Sequence, residues 1–596
     1  MPSGSESSNR VSLAALALLI AIAVVRVLSF ETTTSQGVDE PGHLAAGLEL
    51  LEKHTYVLDP LHPPLAREAM ALPLYVAGER LPKFAQAERR PGGYTEVGNA
   101  ILYGDGHYRR NLLLARCGVL PFLCLAVLCV FFWTKRLFGT FAACLAAFLF
   151  STLPSVLAFS SMAYTDLPAM STQFACLFAF ALWLDKPTTW RTVFFGITAG
   201  LAISTKFTSF IYLPAAGLAM LLVRVWIASA GLKEWTAKAA VRFAAALVIA
   251  FVILWGSYGL SIGHLQEALE VAPGAIPWLG TSPQASLPTF QHFPGPLRNL
   301  AMGLLRSDPP VPAPDLLRGI QEARLLKQSA PASYLFGHER AGGWWFFFPV
   351  ALALKTPTPF ILLGIVGLVY TLWARRREWA ALLPVTAATA VLIVTMFIGY
   401  KVGTRHVLVV LPLASILGGA GAAQLWKIPA IHPLWGRASL CLLLGWQTVS
   451  TVEAQSDFLA YFNELAPRDP SRALVKGCDL DCGQDIFKLS HELQARSVRH
   501  VKIAMWGTAD LSESGLPAVE VLPPYQPVGG WIAVSVRSLR TGQVVFVEKG
   551  VVHAYVYPPD ALSWVERYPP VARVGKTILL YYLPEKSEKI SAPASQ

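Results

Sequence analysis

Eleven apolar stretches recur between residues 11 and 452, and they constrain this chain more than any motif in it. They lie at 11–30, 112–133, 137–159, 167–184, 193–204, 207–223, 243–262, 358–373, 380–398, 407–426 and 434–452. About 20 apolar residues in a helix cross a hydrocarbon core of about 30 Å. Backbone in lipid must satisfy its own hydrogen bonds, so each stretch is expected to be helical. The sequence therefore predicts a polytopic α-helical membrane protein with about 11 transmembrane helices. Residues 193–223 read either as one kinked helix or as two short ones, and the charge pattern favours two. The first would then be about 18 Å long, which sets Lys206 below the outer surface.

The 596 residues carry a formal net charge of +11 but are only 15% charged. In a soluble protein that excess would suggest a nucleic-acid partner. Here the basic groups fall at every second membrane boundary: Arg10, Lys135 and Arg136, Lys186 and Arg191, Arg224, residues 375–377, then Lys427 and Arg437. That is the positive-inside pattern, so the charge reads as topology and no nucleic acid is expected. The first apolar run follows Arg10 without a small-residue cleavage site and reads as a signal anchor.

Three larger segments then face outside: 31–110, 263–343 and the tail. The division expected is into a membrane domain, 1–452, and an extracytoplasmic α/β domain, 453–596. The tail alternates β-branched residues in "WIAVSVRSL", "QVVFVEKG" and "KTILLYYL", with a helical pattern near 485–495. Two outer stretches, "LAREAMALPLYVAG" and "WWFFFPVALAL", are expected to lie along the membrane. Six of the eight cysteines sit in apolar runs and read as small hydrophobes. Cys478 and Cys482 are in the polar tail, where an oxidising compartment would allow a disulfide. A zinc site lacks partners at ligand spacing.

The outer segment opens on "GVDEPGHLAAGLELLEKHTYVLDPLHPPLAR", residues 37–67, which holds five carboxylates and three histidines. Cations stand against the topological grain on the same side: Lys206, Lys355, Lys401, Arg405 and Arg116. A lone basic residue there ordinarily snorkels to headgroups, but as a set they suit an anionic lipid phosphate. Asp166 in "AYTDLP" adds a second outer carboxylate. Both Asp39 and Asp166 sit just before a proline, so helix capping is the plain alternative for each. Phosphate-binding glycine loops and metal-ligand spacings are missing, and "DLD" at 479–481 is too short to carry a metal motif.

"DEPGHLA" followed by "DPLHPPLAR" resembles the first external loop of the protein O-mannosyltransferases, which reads Asp-Glu-x-x-His-Phe-Gly and then Asp-x-His-Pro-Pro-Leu-Gly-Lys. "NLLLARCGVLP", "AYTDLP", "GLAISTKFT", "GTRHVLVVLPL" and "DFLAYFNELA" with "CDLDCGQD" resemble bacterial members, including the lipid A aminoarabinose transferases. The departures are His43-Leu44-Ala45, Ala66-Arg67, a second loop too short for a β-trefoil, and Cys482 where the bacterial pattern has Trp.

The resemblance implies the GT-C fold and an inverting transfer of a monosaccharide from a polyprenyl-phosphate donor to an acceptor hydroxyl. The acceptor would be protein Ser/Thr, lipid A or another envelope glycan. Asp39 is the expected base, because a hydroxyl is a poor nucleophile until its proton is taken. Glu40 would orient Asp39 or an acceptor group. Lys206, Arg405, Lys355, Arg116 and His62 are the candidates for the donor phosphate, whose developing charge fixed cations stabilise. Asp166 would hold the acceptor or a cation. Some relatives use a divalent cation, whereas this branch is expected to need no metal or other cofactor. The expected location is a bacterial inner (plasma) membrane, with the site on the periplasmic or extracellular face and membrane lipids around it. A lipid or solute transporter is the competing class, but transporters place polar groups at the midplane of repeated halves. A sensory membrane protein with a ligand-binding tail is the third.

Overall fold

The computed structural model describes residues 3–31, 33–84, 93–227, 232–269, 294–328, 332–398, 401–427 and 433–584. Helix α1 (Ser3–Glu31) leads into three shorter helices, α2 (Glu40–Lys53), α3 (Leu65–Val76) and α4 (Gly93–Tyr103). Next come α5 (Tyr108–Cys117) and α6 (Leu120–Phe138), then α7 (Thr140–Ser151) and α8 (Pro154–Ser160), which meet at 62°. Pro154 opens α8, where its missing N–H costs nothing. Helices α9 (Asp166–Asp185), α10 (Thr189–Ile203), α11 (Ser209–Ile227) and α12 (Leu232–Ser257) follow.

The segment after α12 contributes α13 (Leu265–Leu269), α14 (Gly295–Ser307) and α15 (Pro314–Gln328). Helices α16 (Phe347–Lys355) and α17 (Thr358–Ala374) meet at 119° across Thr356 and Pro357. Helices α18 (Trp379–Phe397), α19 (Val410–Lys427) and α20 (Pro433–Glu453) complete the helical part.

Among the described residues six helices are long and apolar enough to cross a membrane, or up to eight if each bent pair is one span. Each stretch expected to span is mostly helical, although 137–159 is broken between Ser151 and Pro154 and 243–262 leaves its helix after Ser257. Residues 193–223 are two helices, broken between Ile203 and Ser209. The amphipathic stretch at 65–78 is α3, with Met70 and Leu74 buried while Leu72 and Val76 stay exposed.

Two short antiparallel pairs form before the tail, β1 (Ile262–His264) with β2 (Pro310–Pro312) and β3 (Ser333–Leu335) with β4 (His338–Arg340). The tail then forms α21 (Ile486–Ala495), β5 (His500–Ala504), β6 (Trp506–Asp510), β7 (Ala518–Val521) and β8 (Gly530–Ser535). It closes with α22 (Val536–Thr541), β9 (Gln543–Glu548), β10 (Val551–Val556), β11 (Ala572–Val574) and β12 (Ile578–Leu583). Five strands pair in the order β11-β12-β8-β5-β7 and three in the order β10-β9-β6. In β5, Val501 and Ile503 are buried while His500 is exposed, the period of two that the sequence shows.

One apolar core runs through the helices and reaches as far as Cys482, and a second fills the tail from Ile486 onward. The two halves meet along residues 35–38. Ser35 N–H donates to the Gln484 carbonyl (3.0 Å), Val38 N–H to that of Cys482 (3.1 Å), and Gln36 Nε2 to that of Thr508 (3.0 Å). The tail thus holds the loop that ends at Asp39.

Candidate active site

Asp39 directly precedes α2, and Pro41 lies in that helix's first turn. Its carboxylate makes no cap hydrogen bond. Instead Oδ2 accepts from Arg405 Nη1 at 2.5 Å. Arg405 sits in a single 3-10 turn, Thr404–Val407. Gly403 before it has φ +82°, and a Cβ there would lie 2.4 Å from the Gly477 carbonyl oxygen, so only glycine fits. The turn is fixed by Asp479 of the "DLD" stretch, whose Oδ1 accepts from both the N–H (2.8 Å) and the hydroxyl (2.7 Å) of Thr404.

Arg405 Nη1 also lies 3.9 Å from Asp166 Oδ2, and Asp166 Oδ1 accepts from Lys206 Nζ at 2.5 Å. Asp166 is the first residue of α9, yet its side chain is spent on Lys206 rather than on capping. Lys206 stands in the break between α10 and α11. The result is a line of alternating charge: Asp39, Arg405, Asp166, Lys206. Side-chain exposure rises along it, from 2% at Asp166 to 35% at Asp39. Burial pushes the Asp39 carboxyl up, but the charges and hydrogen bond around it, those of Arg405 foremost, together outweigh that and hold it below the usual carboxylate range. Asp166, Lys206 and Arg405 line a small cleft together with Gln173, Thr208 and His406 and the apolar Met170, Leu408 and Val409.

Glu40 and Arg116 face each other in a bidentate pair, with both contacts at 2.8 Å and side-chain exposures of 0% and 1%. Glu40 also accepts the N–H of Gly37 (2.6 Å) and of Ala163 (2.7 Å). Arg116 donates further to Thr34 Oγ1 and to the carbonyls of Glu31 and Ser35. Lys355 gives its ammonium to the carbonyls of Leu459 and Asp479 and lies over the Phe462 ring. Arg116 and Lys355, read from the sequence as phosphate ligands, therefore have their donors engaged by protein groups. Both brace the site: Arg116 through Glu40, Lys355 through Asp479.

A third cluster surrounds Arg67, which is fully buried. It donates to Asp59 Oδ2 (2.5 Å), the Asp59 carbonyl, Tyr56 Oη (2.9 Å) and His43 Nδ1 (3.2 Å). Accepting that bond fixes the Nε2–H tautomer of His43. Burial, helped by the Arg67 charge, pushes its imidazole down to about 3, so it is neutral. The His62 ring lies 5.5 Å from His43, and its buried Nδ1 meets no partner among the described residues. The Tyr164 ring lies 5.9 Å from His43 and 5.7 Å from the Arg405 guanidinium.

Asp39, Asp166, Lys206 and Arg405 are thus brought together, Glu40 and Arg116 stand directly behind Asp39, and His62 flanks the set through His43. Residues that the sequence reading did not assign are His43, Tyr56, Asp59, Arg67, Tyr164 and Asp479. Arg67 had a signal, since it stands where the resembled loop has lysine. Among the described residues no three His, Cys, Asp or Glu side chains are arranged to hold a metal ion. Each carboxylate of the line already faces a cation of the chain, a donor set poorly matched to a divalent ion.

Residues 114–255 match the family model of the dolichyl-phosphate-mannose-protein mannosyltransferases. That stretch includes Arg116, Tyr164, Asp166 and Lys206, and the match agrees with the resemblance seen in the first loop. No curated protein matches the sequence. Among solved structures, the archaeal oligosaccharyltransferase AglB from Archaeoglobus fulgidus, in complex with an inhibitory peptide and a dolichol-phosphate, aligns over 92% of this chain and 74% of its own. Its identity is 11% and the TM-score 0.48. ArnT from Cupriavidus metallidurans, bound to undecaprenyl phosphate, aligns over 95% of this chain and 97% of its own, with 12% identity and a TM-score of 0.46.

Proposed function

We propose that this chain is an integral-membrane glycosyltransferase of the GT-C type, working on the outer face of a bacterial plasma membrane. It would move a monosaccharide from a polyprenyl-phosphate to a hydroxyl of protein Ser/Thr, lipid A or an envelope glycan. The observation that carries the reading is the alternating line Asp39–Arg405–Asp166–Lys206, most exposed at its Asp39 end and bordered by a small cleft of mixed polar and apolar lining. The family-model match supports the same donor class.

The donor phosphate takes the place at Arg405 that Asp39 holds in the resting protein, and Lys206, on the far side of Asp166, adds its charge. Arg405 offers a planar fork, while Lys206 acts as a point charge. Asp39 takes the acceptor's proton as the hydroxyl oxygen bonds to the anomeric carbon. The bond from that carbon to the phosphate oxygen breaks on the opposite side, and the polyprenyl phosphate leaves with the electron pair. Without donor, the Arg405 charge keeps Asp39 a weak base. A phosphate that draws on the same guanidinium relieves that hold and raises the basicity of Asp39 when the substrate is present.

The test uses purified protein, a radiolabelled polyprenyl-phosphate sugar and separate readouts of binding and transfer. Asp39→Asn, which frees Arg405 of its competing carboxylate, should bind donor at least as tightly as wild type and lose turnover by about 100-fold or more. Lys206→Ala and Arg405→Ala should lose donor binding. Transfer by Asp39→Asn at the wild-type rate would sink the assignment of the base, and donor binding indifferent to both cations would sink the phosphate site.

A further inference from the structure

Behind Asp39 stands a structure that the transfer chemistry does not itself require. Tyr164, buried between α8 and α9, sends its hydroxyl toward the loop before α2. The Asp39 N–H donates to Tyr164 Oη at 3.1 Å. The space for that hydroxyl exists because residue 37 is glycine, since a Cβ there would lie 2.6 Å from Oη. On its far side Oη lies 2.9 Å from Cys482 Sγ and 3.7 Å from Cys478 Sγ. Those cysteines are cross-linked, with Cα atoms 4.8 Å apart, and both are buried. Cys478 is held at φ +61°, an unusual conformation for a non-glycine residue that the cross-link helps to fix.

The cross-link sets the direction of a hydrogen-bond chain. Disulfide sulfurs carry no hydrogen, so the Tyr164 hydroxyl is the donor to Cys482. Its lone pairs are left for the Asp39 N–H. A free thiol at 482 would instead compete as a donor for those lone pairs. The same segment grips the loop again where Val38 N–H meets the Cys482 carbonyl. Tyr164 also presents its ring to Arg405 and to His43. One side chain therefore touches the backbone of the proposed base and the cation that holds it.

We propose that Tyr164 is a positioning residue that seats Asp39 against Arg405, and that the Cys478–Cys482 disulfide orients its hydroxyl for that purpose. The kinetic part of this proposal rests on the transferase reading. The seat itself does not.

Three variants test it: Tyr164→Phe, which keeps the ring, Cys478→Ala/Cys482→Ala, and the triple combination. Thermal unfolding confirms that each is folded. Hydrogen exchange of a peptide spanning residues 37–43 should quicken in all three. Transfer should fall about tenfold in kcat, the worth of one net hydrogen bond, with donor KM unchanged. The acid limb of the pH–rate profile should move up as Asp39 loosens from Arg405. Because tyrosine and disulfide act on one bond, the triple variant should be no worse than the pair. Wild-type exchange in Tyr164→Phe, or losses that multiply in the triple variant, would overturn the proposal. Quickened exchange in a protein whose wild type transfers no sugar would uphold the seat and refute the transferase reading instead.

Discussion

Glu40 illustrates how the geometry separates chemistry from support. Its two oxygens meet four donors: Gly37 N–H, Ala163 N–H, and Arg116 Nε and Nη2, all between 2.6 and 2.8 Å. Glu40→Gln conserves shape but replaces one acceptor oxygen by an NH₂ group that faces two donors. With both side chains essentially out of solvent, screening does little to soften the loss. Removing one partner of a buried ion pair costs about 3–5 kcal/mol, and the remaining amide oxygen places this change near the lower bound. The assay is thermal and chemical unfolding in one detergent, wild type beside Glu40→Gln, Arg116→Leu and Glu40→Gln/Arg116→Leu. The double variant leaves no uncompensated charge, so it should be more stable than the sum of the single losses. Wild-type unfolding of Glu40→Gln together with lost transfer would refute this reasoning and move Glu40 from bracing into the reaction itself.

Three further outcomes follow from the same contacts. The acid limb of kcat/KM should lie below about pH 4, where a free carboxylate titrates, because Arg405 holds Asp39 down. The limb of kcat should lie higher, since bound phosphate competes for Arg405, and coincident limbs would contradict that competition. His43 is held neutral with its pKa near 3, so the unfolded chain binds the proton first. Its share of stability is present above about pH 6.5 and drains away as pH falls. Melting temperature should therefore drop between pH 7 and 5, and less steeply in His43→Gln. Gly403→Ala forces a Cβ against the Gly477 carbonyl at a positive φ, which displaces Arg405, so donor binding measured by retention of labelled lipid should weaken about tenfold or more.

Asp39, Asp166, Lys206 and Arg405 were legible as types in unusual places, charged groups gathered at the ends of apolar runs. Their pairing was not. Asp39 and Arg405 stand 366 residues apart, and only the return of the chain before α19 brings them together. Arg116 shows the reverse case. A buried cation against the topological rule invites an anionic ligand, and here the anion is Glu40, 76 residues upstream. Tyr164 and Asp479 lay inside quoted motifs without a role, because a hydroxyl or carboxylate that serves backbone N–H groups leaves no compositional trace. The helices were readable because lipid permits little else. The bends fall at Pro154, the first residue of α8, and at Pro357, just before α17, and the stretch 137–159, read from the sequence as one span, runs straight through the first of them.

The place of the charged line follows from helix lengths. Helix α10 has 15 residues, about 22 Å at 1.5 Å each, short of a hydrocarbon core of about 30 Å. The chain turns back early, and Lys206 in that turn reaches the first residue of α9. Helix α9 begins at Asp166 and α19 at Val410, so two helix N-termini border the cleft lined by Asp166, Leu408 and Val409. Their dipoles add partial positive charge to that of Lys206 and Arg405. Left alone, so much like charge in a buried pocket would be costly. Asp39 and Asp166 neutralise it in the resting protein. An incoming phosphate then exchanges one anion for another rather than meeting bare cations, and the carboxylate it displaces from Arg405 is the exposed one, Asp39, the group then free to accept a proton.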